Sequence, residues 1–373
     1  MNGLENRDDH RKIVALSLIA RVGAVTYKKL TEKFGDIDSI LKATSKDLTS
    51  LKNLPKNLQE SLKNPELLEK AEKEITKAQK SGVDIISLLD PEYPEELREI
   101  YDAPMVLYVR GHLPIKGTPA VAIVGSRKAS LYGVRTAKSI ASDLAKSGVV
   151  VVSGLALGID SAAHEGALKQ NGVTLAVLGG GLSRLYPSQN KKMAERIVKN
   201  GAVISEYPME MSPRPEYFPM RNRIISGLSR AVLVVEAAQK SGALITADTA
   251  LEQNRDVFAV PGNADASKSQ GTNALLKQGA KLVTCATDIL EELNIADKSK
   301  ARSADEISVN IKKMNLSPEE EKLYSLLDNE PLQIDTLIEQ SGLTISRTMS
   351  SLMSLEMKGA VKELPGKNFI RNS

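Results

Sequence analysis

Val149-Val150-Val151-Val152-Ser153-Gly154-Leu155-Ala156-Leu157-Gly158-Ile159-Asp160 decides how the middle of this chain folds. Consecutive valines favour an extended strand that is apolar on both faces, the glycines end it, and an Ala-rich segment of helical length follows. The same order recurs on either side. Val121-Ala122-Ile123-Val124 leads into Gly125-Ser126-Arg127, and Thr174-Leu175-Ala176-Val177-Leu178 leads into Gly179-Gly180-Gly181. Ala202-Val203-Ile204, Ala231-Val232-Leu233-Val234-Val235, Val257-Phe258-Ala259-Val260 and Leu282-Val283-Thr284 extend the series, with helix-length segments between most of the runs. Strands with two apolar faces belong in a parallel sheet covered by helices on both sides. The expected class is α/β, a doubly wound parallel sheet over residues 83–295.

Outward from this core the pattern changes. Residues 1–82 read as a small helical domain of the helix-hairpin-helix or SAM-like kind. Ile13, Leu16 and Ile19 keep helical spacing, Phe34-Gly35 closes a second helix, and Asn64-Pro65-Glu66 opens a third that ends at Ser81-Gly82. Such hairpins serve DNA backbones or plain packing, and the residues fit both. Residues 296–315 are polar, lack an apolar period and read as a linker. In 316–373, Ser317-Pro318-Glu319-Glu320 carries a capping box, helices end at Ser341-Gly342 and Lys358, and Ala360–Leu364 and Asn368–Arg371 flank Pro365-Gly366. Three helices and a hairpin describe a winged helix. Its third helix mixes Arg347 and Lys358 with Glu356, Ser, Thr and Met, so protein contact fits as well as DNA contact.

Composition excludes several classes. The 373 residues are 42% apolar and 26% charged, globular usage spread over more than one domain. No apolar run approaches the roughly 18 residues of a membrane span, and the polar start, Met1 to Lys12, has no signal core, so a cytoplasmic protein without membrane insertion is expected. Cys285 has no partner for a disulfide, and His10, His112 and His164 are scattered, which leaves no Cys/His metal cage. Net charge is +4, and residues 1–80 alone, with 16 Lys/Arg against 12 Asp/Glu, account for it. A basic patch in the core must therefore be local.

In open parallel sheets ligands bind beyond the carboxyl ends of the strands. Three successive strand ends here carry glycine turns: Gly125-Ser126-Arg127, Ser153-Gly154 onward to Asp160, and Gly179-Gly180-Gly181. Glycine lets backbone amides approach an anion, and Arg127 adds a bidentate phosphate donor. An ordinary turn with a surface arginine fits the same residues. Neither the dinucleotide fingerprint nor a P-loop occurs at these turns. The richest segment is Arg214-Pro215-Glu216-Tyr217-Phe218-Pro219-Met220-Arg221-Asn222-Arg223. With Arg230, residues 213–230 hold four Arg against one Glu, and two of the chain's thirteen aromatic residues (nine Tyr, four Phe, no Trp) stand adjacent there. Arginines beside aromatic faces suit a single-stranded polynucleotide, whose phosphates need charge and whose bases stack. Alternatively Phe218 fills the core and the arginines are solvated or pair with Glu206 and Glu236.

Catalytic constellations are thin. No Gly-x-Ser-x-Gly elbow occurs, Cys285 follows an apolar strand and is expected to pack, and His164, one turn from Asp160, suits a core or cap role. Glu206 and Glu236 end strands, where they fit general-base work or the orientation of arginines.

These residues resemble a known family. Gly125-Ser126-Arg127 with Tyr132-Gly133, Val152-Ser153-Gly154-x-Ala156-x-Gly158-Ile159-Asp160 with Ala163-His164, Leu178-Gly179-x-Gly181 with Tyr186-Pro187, and Ser205-Glu206-x-Pro208 are similar to the core of the DNA-processing protein A (Smf) family. So are Phe218-Pro219-x-Arg221-Asn222-Arg223, Val235-Glu236-Ala237, Ser241–Ala247 and Val257–Gly262, and upstream Asp90-Pro91-x-Tyr93-Pro94 and Leu107-Tyr108-x-x-Gly111. The resemblance spans about residues 86–290. It implies a Rossmann-like core that binds single-stranded DNA without sequence preference, forms a homodimer and loads the RecA recombinase during natural transformation, with no catalytic residue, cofactor or metal. The strand would meet Gly125, Ser126, Arg127, Ser153, Gly154, Phe218, Arg221, Asn222 and Arg223, with Arg127 on phosphate, Arg221 and Arg223 lining the same groove and Phe218 stacking. The fold is also similar to that of lysine-decarboxylase-like phosphoribohydrolases acting on nucleoside monophosphates, whose Pro-Gly-Gly-x-Gly-Thr-x-x-Glu motif supplies a catalytic glutamate. Here eight residues separate Pro261-Gly262 from Gly271-Thr272, and Leu275 stands in that glutamate's place.

Overall fold

Six of the seven apolar runs of the core become buried strands because alternate side chains find cover on opposite faces, and the seventh gives only the two-residue exposed edge strand Lys281–Leu282. The computed structural model describes residues 2–51, 54, 55, 57–296, 316–327 and 331–371. Its large sheet holds β1 (Asp84–Ser87), β2 (Val106–Gly111), β3 (Ala120–Val124), β4 (Val150–Ser153), β5 (Thr174–Val177), β6 (Ala202–Ser205), β7 (Ala231–Val234), β8 (Asp256–Ala259) and β9 (Lys281–Leu282), in the order β1-β2-β6-β5-β4-β3-β7-β8-β9. From β6 across to β9 every neighbour is parallel. Val121 and Ile123 pack with Ala137, Ile140 and Leu144 of the helix Leu131–Lys146 and with Ala163 of the helix Ile159–Lys169. Ala122 and Val124 face the other way, toward Ile224 of the helix Tyr217–Gly227 and Ala247 of the helix Gly242–Glu252.

The sheet is mixed rather than wholly parallel. β2 pairs antiparallel with both β6 and β1, and neither β1 nor β2 stands in the series of apolar runs. β1 is only Asp84-Ile85-Ile86-Ser87, too short and too polar at its ends to stand out. β2 also belongs to a second core: Val106 and Tyr108 are buried with Ile13, Leu16, Leu30 and Ile40 of the N-terminal helices. Residues 1–296 accordingly form one compact unit. Within it the helix Ala24–Phe34 ends at Gly35, and Leu67–Lys80 ends at Ser81, where the sequence places their stops.

The chain reverses direction across the sheet between β3 and β7. From β3 it winds through β4, β5 and β6 to one side, then returns to β7 on the other. The carboxyl ends of β3 and β7 thus diverge around a crevice, the place where such sheets receive ligands.

Beyond Ala296, the linker expected at 296–315 lies outside the described residues. The second unit is a winged helix: helices Pro318–Leu326, Ile334–Ser341 and Ile345–Met357, with β10 (Leu332–Gln333), β11 (Val361–Leu364) and β12 (Asn368–Arg371) in the order β10-β12-β11. Ser317 and Glu320 close the capping box on each other's backbone amides. Leu323, Tyr324, Leu337, Leu355 and Phe369 make its core.

Candidate nucleic-acid interface

The turns after β3 and β4 are locked together before any ligand arrives. The Ser126 amide donates to the Glu236 carbonyl at 2.8 Å, and the Ser126 carbonyl accepts from the Ile159 amide at 3.2 Å. Ser153 is fully buried, its hydroxyl donating to the Ile123 carbonyl at 2.6 Å. The amides of Gly154 and Ala156 donate to the Asp160 carboxylate at 3.1 and 3.3 Å, and the Gly181 amide to the Met211 carbonyl at 2.8 Å. Phosphate-accepting amides were expected at these glycine turns. Those of Ser126, Gly154 and Gly181 are spent inside the protein, and Arg127 is the charged side chain that these turns present.

Arg221 is one of the residues that organises this edge. It is 4% exposed and donates to the carbonyls of Gly154, at 2.7 Å, and Val177, while its Nε donates to Asn222 Oδ1 at 3.2 Å. A Cβ on residue 154 would lie 2.5 Å from the guanidinium, which is why glycine stands there. Burial lowers the Arg221 pKa to about 10, with Asp160 opposing, so the side chain keeps its charge at neutral pH. Burial conversely pushes Asp160 up, opposed by Arg221 and the two amides.

Arg223 is set apart from the groove it was expected to line. Its Nε lies 3.0 Å from Asp102 and its Nη2 2.6 Å from Glu206, and it does not border the cavity described next. Glu206 therefore orients an arginine, one of the roles its position allowed. Glu236 does not. Its carboxylate accepts from the Ser130 amide at 2.9 Å and from the Ser130 hydroxyl, fixing the start of the helix Leu131–Lys146.

Between the ends of β3 and β7 opens a cavity of about 670 Å³. Gly125, Ser126, Arg127, Phe218, Arg221 and Asn222 border it, with Tyr186, Arg214 and Thr246. Ser153 and Gly154 support it from behind. The Phe218 ring is half-buried, 5.8 Å from the Tyr186 ring at a tilt of 52°. The Arg127 guanidinium lies over Phe218, 5.1 Å from the ring centre, and has no acidic partner among the described residues. Arg214 is exposed, 5.9 Å over Tyr217, with Glu216 no nearer than 4.0 Å. The wall thus carries two accessible guanidinium groups and two accessible rings. Tyr186 was missed as a contact residue; its signal was Tyr186-Pro187 following a glycine turn.

The remaining candidates are structural. His164 is fully buried; since the Thr174 hydroxyl donates to the Val151 carbonyl, His164 Nδ1 donates to Thr174 Oγ1 at 2.7 Å. Burial pushes its pKa down to about 3, so it stays neutral. Cys285, expected to pack, is instead exposed, because the apolar strand gives out and residue 285 caps the helix Ala286–Glu292. Among the described residues no group of three or more His, Cys, Asp or Glu is placed to hold a metal ion, and no helix is long and apolar enough to cross a membrane.

Comparison with known proteins decides the family. Residues 84–294 match the model of DNA recombination-mediator protein A, and residues 312–367 match the DprA winged helix domain. The chain belongs to the DNA recombination-mediator protein A (DprA/Smf) family. Protein Smf of Synechocystis is 34% identical over 96% of this chain and 98% of its own length. The DNA processing protein DprA of Streptococcus pneumoniae is 47% identical over 55% of this chain and 73% of its own length. The X-ray structure of that DprA superposes with a TM-score of 0.56 at 39% identity, covering 72% of this chain and 97% of that one. DNA processing protein A of Helicobacter pylori, whose structure is described for its single-stranded DNA binding mode, gives a TM-score of 0.52 at 32% identity, covering 57% of this chain and 97% of that one. A role in DNA processing and recombination mediation comes with DprA membership, and the two family matches coincide with the Rossmann-like core and the winged helix.

The winged-helix segment carries excess acid. It holds six Lys/Arg against nine Asp/Glu over residues 316–371. On its third helix Arg347 pairs with Glu319 at 2.8 Å and Lys358 with Glu320 at 2.7 Å, while Ile345, Met349, Met353 and Met357 are exposed.

Proposed function

We propose that this chain binds single-stranded DNA without sequence preference, in the cavity between β3 and β7, and hands it to the RecA recombinase during uptake and recombination of foreign DNA. It acts as a homodimer in the cytoplasm and as a binder rather than an enzyme. The observation that carries the proposal is the Arg127 guanidinium lying over Phe218 beside the open Tyr186 ring, with no acid to neutralise it. Such an arrangement offers a phosphate its charge and a base its stacking surface. Among the described residues, a nucleotide-hydrolase role finds no acid–base carboxylate without a structural task at this edge. Asp160 holds two amides, Glu206 holds Arg223 and Glu236 holds Ser130.

The test is fluorescence anisotropy with labelled oligonucleotides of several sequences, single- and double-stranded. Expected are similar affinities across unrelated single strands of matched base composition, weaker duplex binding, and a loss of affinity in Arg127→Ala. RecA loading is tested separately, by recombinase filament formation on strands precoated with a single-strand-binding protein. No stimulation by this chain would remove that part of the proposal.

A further inference from the structure

A second cavity, of about 620 Å³, opens at the same edge of the sheet, and no role described above uses it. Both loops that wall the first cavity also wall this one. The loop after β3 gives Ser126 to the first and Ser130 to the second; the loop after β7 gives Ala238 and Ser241 to the first and Glu236 to the second. The far wall is the segment Pro261 to Ser269 that follows β8. A volume of this size is ordinary for a site that takes a nucleotide-sized ligand.

Four side chains define its chemistry. Tyr132 is 49% exposed, its ring without an aromatic partner among the described residues, and its hydroxyl donates to the Pro261 carbonyl at 3.3 Å, which sets the ring at the cavity's edge. Glu236 is 4% exposed and borders the cavity. Its two contacts, the amide and hydroxyl of Ser130, use about half of a carboxylate's acceptor capacity, and no cation pairs with it among the described residues. Glycine at 133 makes room for it, since a Cβ there would lie 2.5 Å from the Glu236 carboxyl carbon. Lys268 is half-buried without an acidic partner among the described residues, and its carbonyl accepts from the Ala237 amide at 2.8 Å, which pins it to the cavity wall. Asn263 is exposed, its Oδ1 taken by the Asp265 amide, leaving its NH₂ group to donate.

A stacking face, a buried acceptor and an unpaired cation are the parts that hold one nucleotide. A carboxylate favours a base with an exocyclic amine, such as cytosine, whose NH₂ offers it two donors, over thymine, whose single N3–H donor lies between two carbonyl oxygens that repel it. We propose that this cavity is a second nucleotide subsite on the same single strand, selective for amino-bearing bases, with the base against Tyr132 and Glu236 and the phosphate on Lys268. The proposal rests on the single-strand binding described above and adds a base preference to it.

The experiment measures affinity of the full chain for oligo(dC) and oligo(dT) of equal length, in wild type, Tyr132→Ala, Lys268→Ala and Arg127→Ala. Wild type is expected to prefer oligo(dC). Tyr132→Ala should weaken oligo(dC) binding by about tenfold, the effect of one lost stack, with a far smaller effect on oligo(dT). Lys268→Ala should weaken both and reduce the salt slope by about 0.7. Both side chains reach the surface, so neither change empties the core. If Arg127→Ala binds more weakly while the Tyr132 and Lys268 variants match wild type on both strands, the second subsite is wrong and the first stands. Equal wild-type affinity for oligo(dC) and oligo(dT) removes the base selectivity. If the wild type binds neither strand, both proposals fall.

Discussion

Arg221→Met separates two roles that the sequence alone leaves entangled. The change keeps a long side chain but removes every donor, so the carbonyls of Gly154 and Val177 lose their guanidinium partner and Asp160 loses the positive charge that offsets its burial. A buried acceptor left unsatisfied costs about 1–3 kcal/mol, so two carbonyls together cost about 2–6 kcal/mol before relaxation and roughly 3 kcal/mol once the site has partly relaxed. For a unit of this size each kcal/mol moves the midpoint by about 2 °C, giving a fall in Tm of about 6 °C. Differential scanning calorimetry on the full chain reads this directly, in the transition of the unit formed by residues 1–296. Single-strand affinity measured well below that transition should change little in its salt dependence. A Tm within a degree of wild type, together with lost affinity, would refute the reasoning and make Arg221 a phosphate clamp.

Other expectations follow from individual groups. Arg127→Ala should weaken single-strand binding and lower the salt slope by about 0.7, with an unchanged Tm, because the exposed side chain lies over the Phe218 ring and has no acidic partner among the described residues. Removing residues 316–373 should leave single-strand affinity within about twofold by anisotropy, since Arg347 and Lys358 are paired and this segment carries excess acid. Burial opposes ionisation of Glu320, but Lys358, Ser354 and the Ser317 amide outweigh it and lower its pKa to about 2. Its stabilising contribution is therefore complete above the unfolded value, near 4.5, and lost as pH falls from there through about 2. Glu320→Gln should flatten the acid side of the winged-helix melting profile over that window. Asp160 has the opposite sign: its pKa is raised, so its ionisation costs stability as pH rises from the unfolded value toward the folded one.

How far the sequence could be read depended on whether a residue's role was local. Six of the seven apolar runs are self-contained signals that become strands covered on both faces, whereas Leu282-Val283-Thr284 yields only the exposed two-residue edge strand β9 (Lys281–Leu282). β1 carries no such signal, because a four-residue edge strand is specified by its partner rather than by its own pattern. Counting arginines pointed to a segment that borders the cavity but could not sort them. Arg221 turns inward because Gly154 leaves space for it, and Arg223 is held by Asp102 and Glu206, neither of them near it in sequence. Tyr186 meets Phe218 only once β5 and the helix Tyr217–Gly227 are packed together.

The most direct measurement is a salt titration of the full chain with a single strand longer than roughly 16 nucleotides, followed by anisotropy from about 50 to 200 mM salt. A basic aromatic cavity gripping phosphates predicts that the logarithm of affinity falls linearly with that of salt, with a shallower line for Arg127→Ala. Absence of binding at the low-salt end, or affinity that ignores salt, contradicts the account.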